Sequence, residues 1–223
     1  MYFLTKLRAG ADSIAVKVLQ DFSVEKSMDF LSNSLGVNLS YEQSLVKSKG
    51  PDEVLGNIAL GYLYDGVSAL DMAGYYQIFA NGGYYTTPYT VTSIDGAQDN
   101  IYVAKPEKRR VLSEYASCII TQLLKGVVYP GATGSKAYLE NTDVAGKSGT
   151  SDDYADNWFV GYTPEYVCSV WHSSDNSREN KAASAFASIM KTMPVETERF
   201  TVSKNVKIHF YCKKTGHIRG EGC

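Results

Sequence analysis

Three apolar runs crowd into thirty residues of this 223-residue chain, at about 143–150, 157–163 and 166–172, and only short polar segments separate them. Thr163-Pro164-Glu165 is the tight connection between the last two. A parallel crossover needs a dozen or more residues, so these strands must pair antiparallel and cannot form βαβ units. The segments before them have helical periodicity. Asp12 or Ser13 is read as the cap of a helix carrying Ile14, Val16, Val18, Leu19 and Phe22. A second helix runs through Met28, Phe30, Leu31 and Leu35 and stops at Gly36. Residues 37–66 give a mixed signal, with Lys49-Gly50-Pro51 as a loop. A strongly apolar helix starts at Ser68 and closes at Asn81-Gly82-Gly83. Tyr84 to Ile94 reads as a strand that returns through Ile101-Tyr102-Val103, and Ser113 caps a further amphipathic helix. A helix near 179–192 covers the sheet and Pro194 ends it; the rest, with a strand-like stretch at 206–211, reads as an appendix. Helices followed by an antiparallel sheet and a covering helix define an α+β chain, with residues 1–193 as its domain and 194–223 as a tail.

Composition narrows the function. Twenty-two basic against 24 acidic residues give a net charge of −2, which argues against nucleic acid as a partner. The three histidines, His172, His209 and His217, lack metal-ligand spacing, so neither a metal nor a cofactor is expected. No apolar stretch reaches the length of a membrane span, and Met1–Lys6 is too short and too soon charged for a signal peptide. Cys118 and Cys168 fall in apolar periodic segments and read as buried small hydrophobes. Cys212 and Cys223 flank a polar loop and read as a candidate disulfide, which implies an oxidising compartment; zinc is the weaker alternative because no second pair stands nearby.

Chemistry concentrates at Lys147-Ser148-Gly149-Thr150, the end of the first apolar run. A cation, two hydroxyls and a glycine in four positions make an anion-gripping strand: charge and donors converge where the glycine lets a ligand approach the backbone. Such a string alone is weak evidence. Its surroundings are specific: Asn157-Trp158-Phe159-Val160-Gly161-Tyr162-Thr163-Pro164 and Val170-Trp171 follow, while Ile78-Phe79-Ala80-Asn81-Gly82-Gly83 and Gly131-Ala132-Thr133-Gly134 precede. In this combination the chain resembles the transpeptidase domain of class A penicillin-binding proteins over about residues 10–192, and its tail is similar to some clostridial-type members.

The resemblance implies acyl transfer from D-alanyl-D-alanine stem peptides of peptidoglycan, with β-lactams trapping the same serine. It implies a partial penicillin-binding/β-lactamase-like transpeptidase fold, with about three strands where the family has five. Lys147 and Thr150 would grip the substrate or β-lactam carboxylate, with Ser148 assisting, Gly149 leaving room and the strand edge supplying part of an oxyanion hole. It also implies an extracytoplasmic, cell-envelope setting for the parent protein.

Departures from the family pattern stand at its other two motifs. Alignment of Ala15-Val16-Lys17-Val18-Leu19 with the helix after the family's Ser-x-Asn element puts Gly10-Ala11-Asp12 at that element: Gly10 cannot relay a proton, and Asp12 sets an anion beside an anionic substrate. The Ser-x-x-Lys nucleophile should lie upstream, where too few residues remain. The strings Ser23-Val24-Glu25-Lys26 and Ser44-Leu45-Val46-Lys47 stand in the wrong order and read as solvated surface. The expectation is therefore a transpeptidase portion inactive on its own, whether by truncation, a split gene or degeneracy, with a complementing N-terminal segment as a partner. The alternatives are a non-catalytic module binding wall peptides or a protein, and, more weakly, a serine β-lactamase. Asp152, Asp153 and Asp156 read as turn caps, His172 as structural, and Tyr84, Tyr85 and Tyr89 as groove-lining or half-buried strand residues. With strands fewer than five, a sheet edge and a core face are expected to be bare.

Overall fold

The computed structural model describes residues 10–97, 99–173, 179–194, 197–207 and 209. The candidate disulfide cysteines Cys212 and Cys223, and half of the strand-like stretch at 206–211, lie outside the described residues.

Helix α1 spans Asp12–Phe22. Neither Asp12 nor Ser13 caps it: Ala11 holds the extended cap position, no side chain bonds to the first turn, and Asp12 is already helical. Of its apolar stripe only Leu19 is buried, while Val18 and Phe22 are 47% and 57% exposed. Ser23 then sits at φ 116° and accepts a hydrogen bond from the Lys26 amide, so it caps α2, Val24–Asp29. The helix continues as a π-helical turn over Phe30–Ser34 and ends before Gly36, as the sequence suggested.

Residues 37–66, ambiguous in sequence, form two helices, α3 (Ser40–Lys49) and α4 (Asp52–Leu60), broken at Gly50-Pro51. Glu42 of α3 is only 2% exposed and its Oε1 accepts the Tyr64 amide at 2.8 Å, so a charged residue ties the loop after α4 back onto α3. Helix α5 (Ala69–Ala80) opens with a reciprocal capping box between Ser68 and Asp71. It stops at Asn81-Gly82-Gly83, where a β-carbon on Gly83 would lie 2.2 Å from the Leu112 carbonyl oxygen; with φ at 97°, only glycine fits there.

The single strand expected over Tyr84–Ile94 is in fact two. β1 (Tyr84–Thr86) pairs with β4 (Lys108–Arg110), and β2 (Ser93–Asp95) pairs with β3 (Asn100–Val103), both antiparallel. Pro88 lies in the irregular segment between β1 and β2, where it has no amide to give to a ladder. Tyr85 is buried against Tyr75, and Tyr84 lies beneath the charges of Lys108 and Arg110, so these aromatics pack on strand β4. Ser113 caps α6 (Glu114–Val128) as read.

The main sheet matches the three runs closely: β5 (Ala145–Thr150), β6 (Asp156–Tyr162) and β7 (Val167–Ser173), antiparallel in the order β5-β6-β7. Both of its faces are covered, contrary to the expectation of a bare face. Phe186 of α7 (Ala182–Met190) packs on Phe159, and Tyr162 on the other face meets Tyr76 of α5 and Thr121 of α6. Gly146 and Gly161 stand opposite one another across β5 and β6, and a β-carbon on Gly161 would come within 2.7 Å of the Phe159 ring and 3.0 Å of Phe186. Two small residues thus let α7 sit close to the sheet. Among the described residues, no strand pairs with the outer edge of β5.

The first part of the appendix is packed, not free. Glu198 accepts hydrogen bonds from the Asp143 amide and the Thr142 hydroxyl, and Phe200 packs edge-on against Tyr162. Asp143 anchors the crossing through Lys125 at 2.6 Å, Arg199 at 3.0 Å and the Phe200 amide at 3.1 Å.

Candidate functional site

β5 carries Lys147-Ser148-Gly149-Thr150 along its outer half, in register with Val160, Phe159, Trp158 and Asn157 of β6. Alternation puts Lys147 and Gly149 on one face and Ser148 and Thr150 on the other. Lys147 points toward the start of α1: a β-carbon on Gly10 would lie 3.9 Å from its Nζ. The fold therefore brings the start of α1 up against the cationic strand.

The ammonium of Lys147 donates to the Ser148 carbonyl at 2.8 Å, and among the described residues no carboxylate lies within ion-pair distance of it. Burial pushes its pKa down from the usual lysine value, and the Asp12 carboxylate pulls it partly back up. The site is thus a half-buried cation with an unfilled coordination sphere. Two of its three N–H donors have no partner among the described residues, and these are available to an anion.

Beside Lys147 opens a groove of about 830 Å³, walled by Ile14, Val18 and Phe22 of α1, by Leu31, and by Leu60 at the end of α4, with Gly10, Asp12, Lys147 and Ser148 at its polar end. Ile14, Val18 and Phe22 recur at four-residue spacing, so one apolar stripe of α1 faces this space. Tyr76 closes its floor, and burial raises the Tyr76 hydroxyl pKa to about 12, which keeps it neutral.

Asn180, just ahead of α7, was not singled out by sequence, yet it holds the far end of the strand. Its two Nδ2 hydrogens are shared among the Gly149 carbonyl (2.8 Å), the Thr150 hydroxyl oxygen (2.8 Å) and the more distant Trp158 carbonyl (3.2 Å), while its Oδ1 accepts the Ala182 amide. Only an Asn-type cap preceding the helix hinted at it; the contact to Thr150 spans thirty residues of sequence and has no local signature.

The Ser-x-x-Lys strings at Ser23 and Ser44 stand away from this site, and so does a third that the sequence reading missed, Ser188-Ile189-Met190-Lys191 at the end of α7, where Ser188 donates to the Ser184 carbonyl. Ser23 donates to Glu25 and Ser44 donates to the Tyr41 carbonyl, and neither lines the groove. Asp153 accepts from Ser151 and the Ala155 amide, and Asp156 accepts from Trp171 Nε1, both in the β5–β6 turn region. His172 accepts the Lys181 amide at Nε2. Cys118 is buried and Cys168 half-buried, both as free thiols. Among the described residues there is no cluster of metal-ligating side chains, and no helix is long and apolar enough to cross a membrane.

Comparison with known proteins agrees with this geometry. The family model for the penicillin binding protein transpeptidase domain matches residues 5–191. Penicillin-binding protein 1F of Bacillus subtilis is 37% identical over 193 residues, covering 78% of this chain and 26% of that protein. Penicillin-binding protein 1A/1B of the same organism is 34% identical over 186 residues, covering 77% of this chain and 19% of the relative. Penicillin-binding protein 1A of Clostridium botulinum is 30% identical over 210 residues, covering 91% of this chain and 24% of the relative. The chain thus spans about a fifth to a quarter of the length of these curated relatives. Among solved structures, penicillin-binding protein 1A from Haemophilus influenzae superposes with a TM-score of 0.77 at 18% identity, over 98% of this chain and 38% of that one. The D,D-transpeptidase domain of a peptidoglycan glycosyltransferase from Eggerthella lenta does so at 0.69 and 23% identity, over 85% and 52%. With helices on an antiparallel sheet, a cationic strand at its edge and these relatives, the chain belongs to the penicillin-binding protein transpeptidase domain family, of the class A type.

Proposed function

We propose that this chain is the substrate-holding portion of an extracytoplasmic, cell-envelope D,D-transpeptidase domain that cross-links peptidoglycan. The observation that carries the reading is the Lys147 ammonium, half-buried, unpaired by any described carboxylate, and set at the polar end of an apolar groove. In this role Lys147 and the Thr150 hydroxyl hold the C-terminal carboxylate of a stem peptide or the carboxylate of a β-lactam. Ser148 assists, and Gly149 lets the ligand lie along the free edge of β5. In this reading the attacking serine is supplied by a separate Ser-x-x-Lys segment, with its apolar face against Ile14, Val18 and Phe22. Without that segment the chain binds its ligand reversibly and transfers no acyl group.

A second reading, a non-catalytic stem-peptide module, draws support from Gly10 and Asp12, which put no hydroxyl and an extra anion beside Lys147. Labelling with a fluorescent penicillin separates the two. Covalent label that appears only when a Ser-x-x-Lys peptide is added in trans supports the transpeptidase portion. Reversible binding that Lys147→Ala abolishes, with no labelling under any condition, supports the module. Covalent label on the chain alone, mapped to Ser23 or Ser44, would overturn both.

A further inference from the structure

We infer that Asn180 is a positioning residue that fixes which way the Thr150 proton points, and so makes Thr150 an obligate donor to the ligand carboxylate. The inference rests on the carboxylate-holding reading of β5. The chemistry of the two groups decides the direction. An amide nitrogen has no lone pair to offer, so the 2.8 Å contact between Asn180 Nδ2 and Thr150 Oγ1 has one polarity: the amide donates and the hydroxyl oxygen accepts. The orientation of the amide is itself fixed by its other partners. Two carbonyl oxygens, of Gly149 and Trp158, face Nδ2 and require a donor there, while the Ala182 amide faces Oδ1 and requires an acceptor. A flipped Asn180 would face oxygen against oxygen at the two carbonyls and N–H against N–H at Ala182.

With its oxygen engaged, Thr150 keeps one hydrogen and no described acceptor for it. Thr150 is exposed at the end of the strand, so that hydrogen is directed at whatever anion lies along β5. Polarisation of the hydroxyl by the incoming amide N–H strengthens the outgoing bond. The same amide ties Gly149 on β5 to Trp158 on β6, which holds the donor in place relative to Lys147. Asn180 itself touches no ligand and acts only through Thr150.

The test uses the full chain and N-acetyl-D-alanyl-D-alanine, with its C-terminal amide as the neutral counterpart, in NMR titrations. Asn180→Ala is expected to weaken carboxylate binding roughly tenfold, the scale of one hydrogen bond to a charged group. In a Thr150→Val background the same substitution should add nothing. Asn180→Asp, nearly isosteric, accepts the Thr150 proton and so should weaken the carboxylate ligand more than Asn180→Ala while affecting the amide ligand less. Unchanged affinity in Asn180→Ala, or equal losses with and without the Thr150 hydroxyl, would overturn the positioning role while leaving the strand's function intact. If Asn180→Ala does not fold, the Asn180→Asp comparison between acid and amide ligands decides alone: equal losses for both overturn the role. If the dipeptide binds Lys147→Ala as well as the unaltered chain, the carboxylate-holding reading fails, and the role of Asn180 falls with it.

Discussion

Lys147 and Gly10 share one wall of the groove: the ammonium nitrogen lies 3.9 Å from the position a β-carbon on Gly10 would take. Residues from the first helix and from the sheet edge therefore act on one small volume, and a change at either is felt by the other. Asp12, two residues after Gly10, brings a negative charge to that volume.

Replacement of Asp12 by asparagine should have two separable effects. The carboxylate raises the Lys147 pKa, so its removal lowers that pKa further, readable from the Lys147 side-chain resonances across an alkaline titration. At pH 6.5, where the lysine stays charged, loss of the repelling anion should tighten dipeptide binding by about threefold, in line with roughly 0.7 kcal/mol for a solvated charge pair. Weaker binding in Asp12→Asn would show that the aspartate supports the ligand instead of opposing it.

Binding should also fail early on the alkaline side. Burial depresses the Lys147 pKa, so the charged form persists below that lowered value and is lost as pH rises through it, ahead of the ordinary lysine range. Affinity for N-acetyl-D-alanyl-D-alanine measured from pH 7 upward should follow this loss. The sign for stability is opposite: between the lowered pKa and the normal one the unfolded chain binds more protons, so stability rises with pH across that window. At neutral pH, Lys147→Met removes a half-buried charge and should raise the melting temperature by a few degrees while abolishing binding.

Asp143 moves stability in the same direction, but in an acidic window. Burial opposes its ionisation, but hydrogen bonds from Lys125, the Phe200 amide and Arg199 outweigh burial and hold its pKa below the usual carboxylate value. Its contribution is present above the unfolded pKa and disappears as pH falls through the folded one. Asp143→Asn should cost about 2 kcal/mol at pH 7 and much less near pH 3, and should expose residues 197–203 to proteolysis. An equal deficit at both pH values would show that the carboxylate charge is not what pins this segment.

Gly161→Ala is expected to destabilise by about 2 kcal/mol through overpacking, because its β-carbon enters space held by the Phe159 and Phe186 rings. Phe186→Leu in the same chain should recover part of that loss. Thermal melts of the single and double variants measure it.

What the sequence displayed and what it hid have physical causes. The three main strands were legible almost to the residue because their turns are too short for any other pairing, and α5 because Ser68 and Asn81-Gly82-Gly83 bracket it. Helices α3 and α4 were not, since α3 buries a glutamate where the pattern calls for an aliphatic residue. The Tyr84–Ile94 run was mistaken for one strand although Pro88 interrupts it. At the site, Lys147 to Thr150 could be read from local chemistry. That Lys147 lies beside Gly10, and that Asn180 holds Thr150, are consequences of tertiary placement and leave no periodic trace.

Between the helices and the sheet runs a chain of hydroxyls. Ser117 donates to the carbonyl oxygens of Ile78 and Phe79, Thr121 donates to Phe79, and Thr121 in turn meets the Tyr162 hydroxyl at 3.0 Å. Because the Thr121 proton is committed to Phe79, the Tyr162 hydroxyl must be the donor in the last contact. Apolar surfaces can slip past one another at small cost, whereas these bonds have direction and length. They work as a dowel between α5, α6 and β6: Tyr76, at the floor of the groove, and β6, the strand that carries β5, cannot shift independently. A ligand seated on β5 therefore meets a rigid jig.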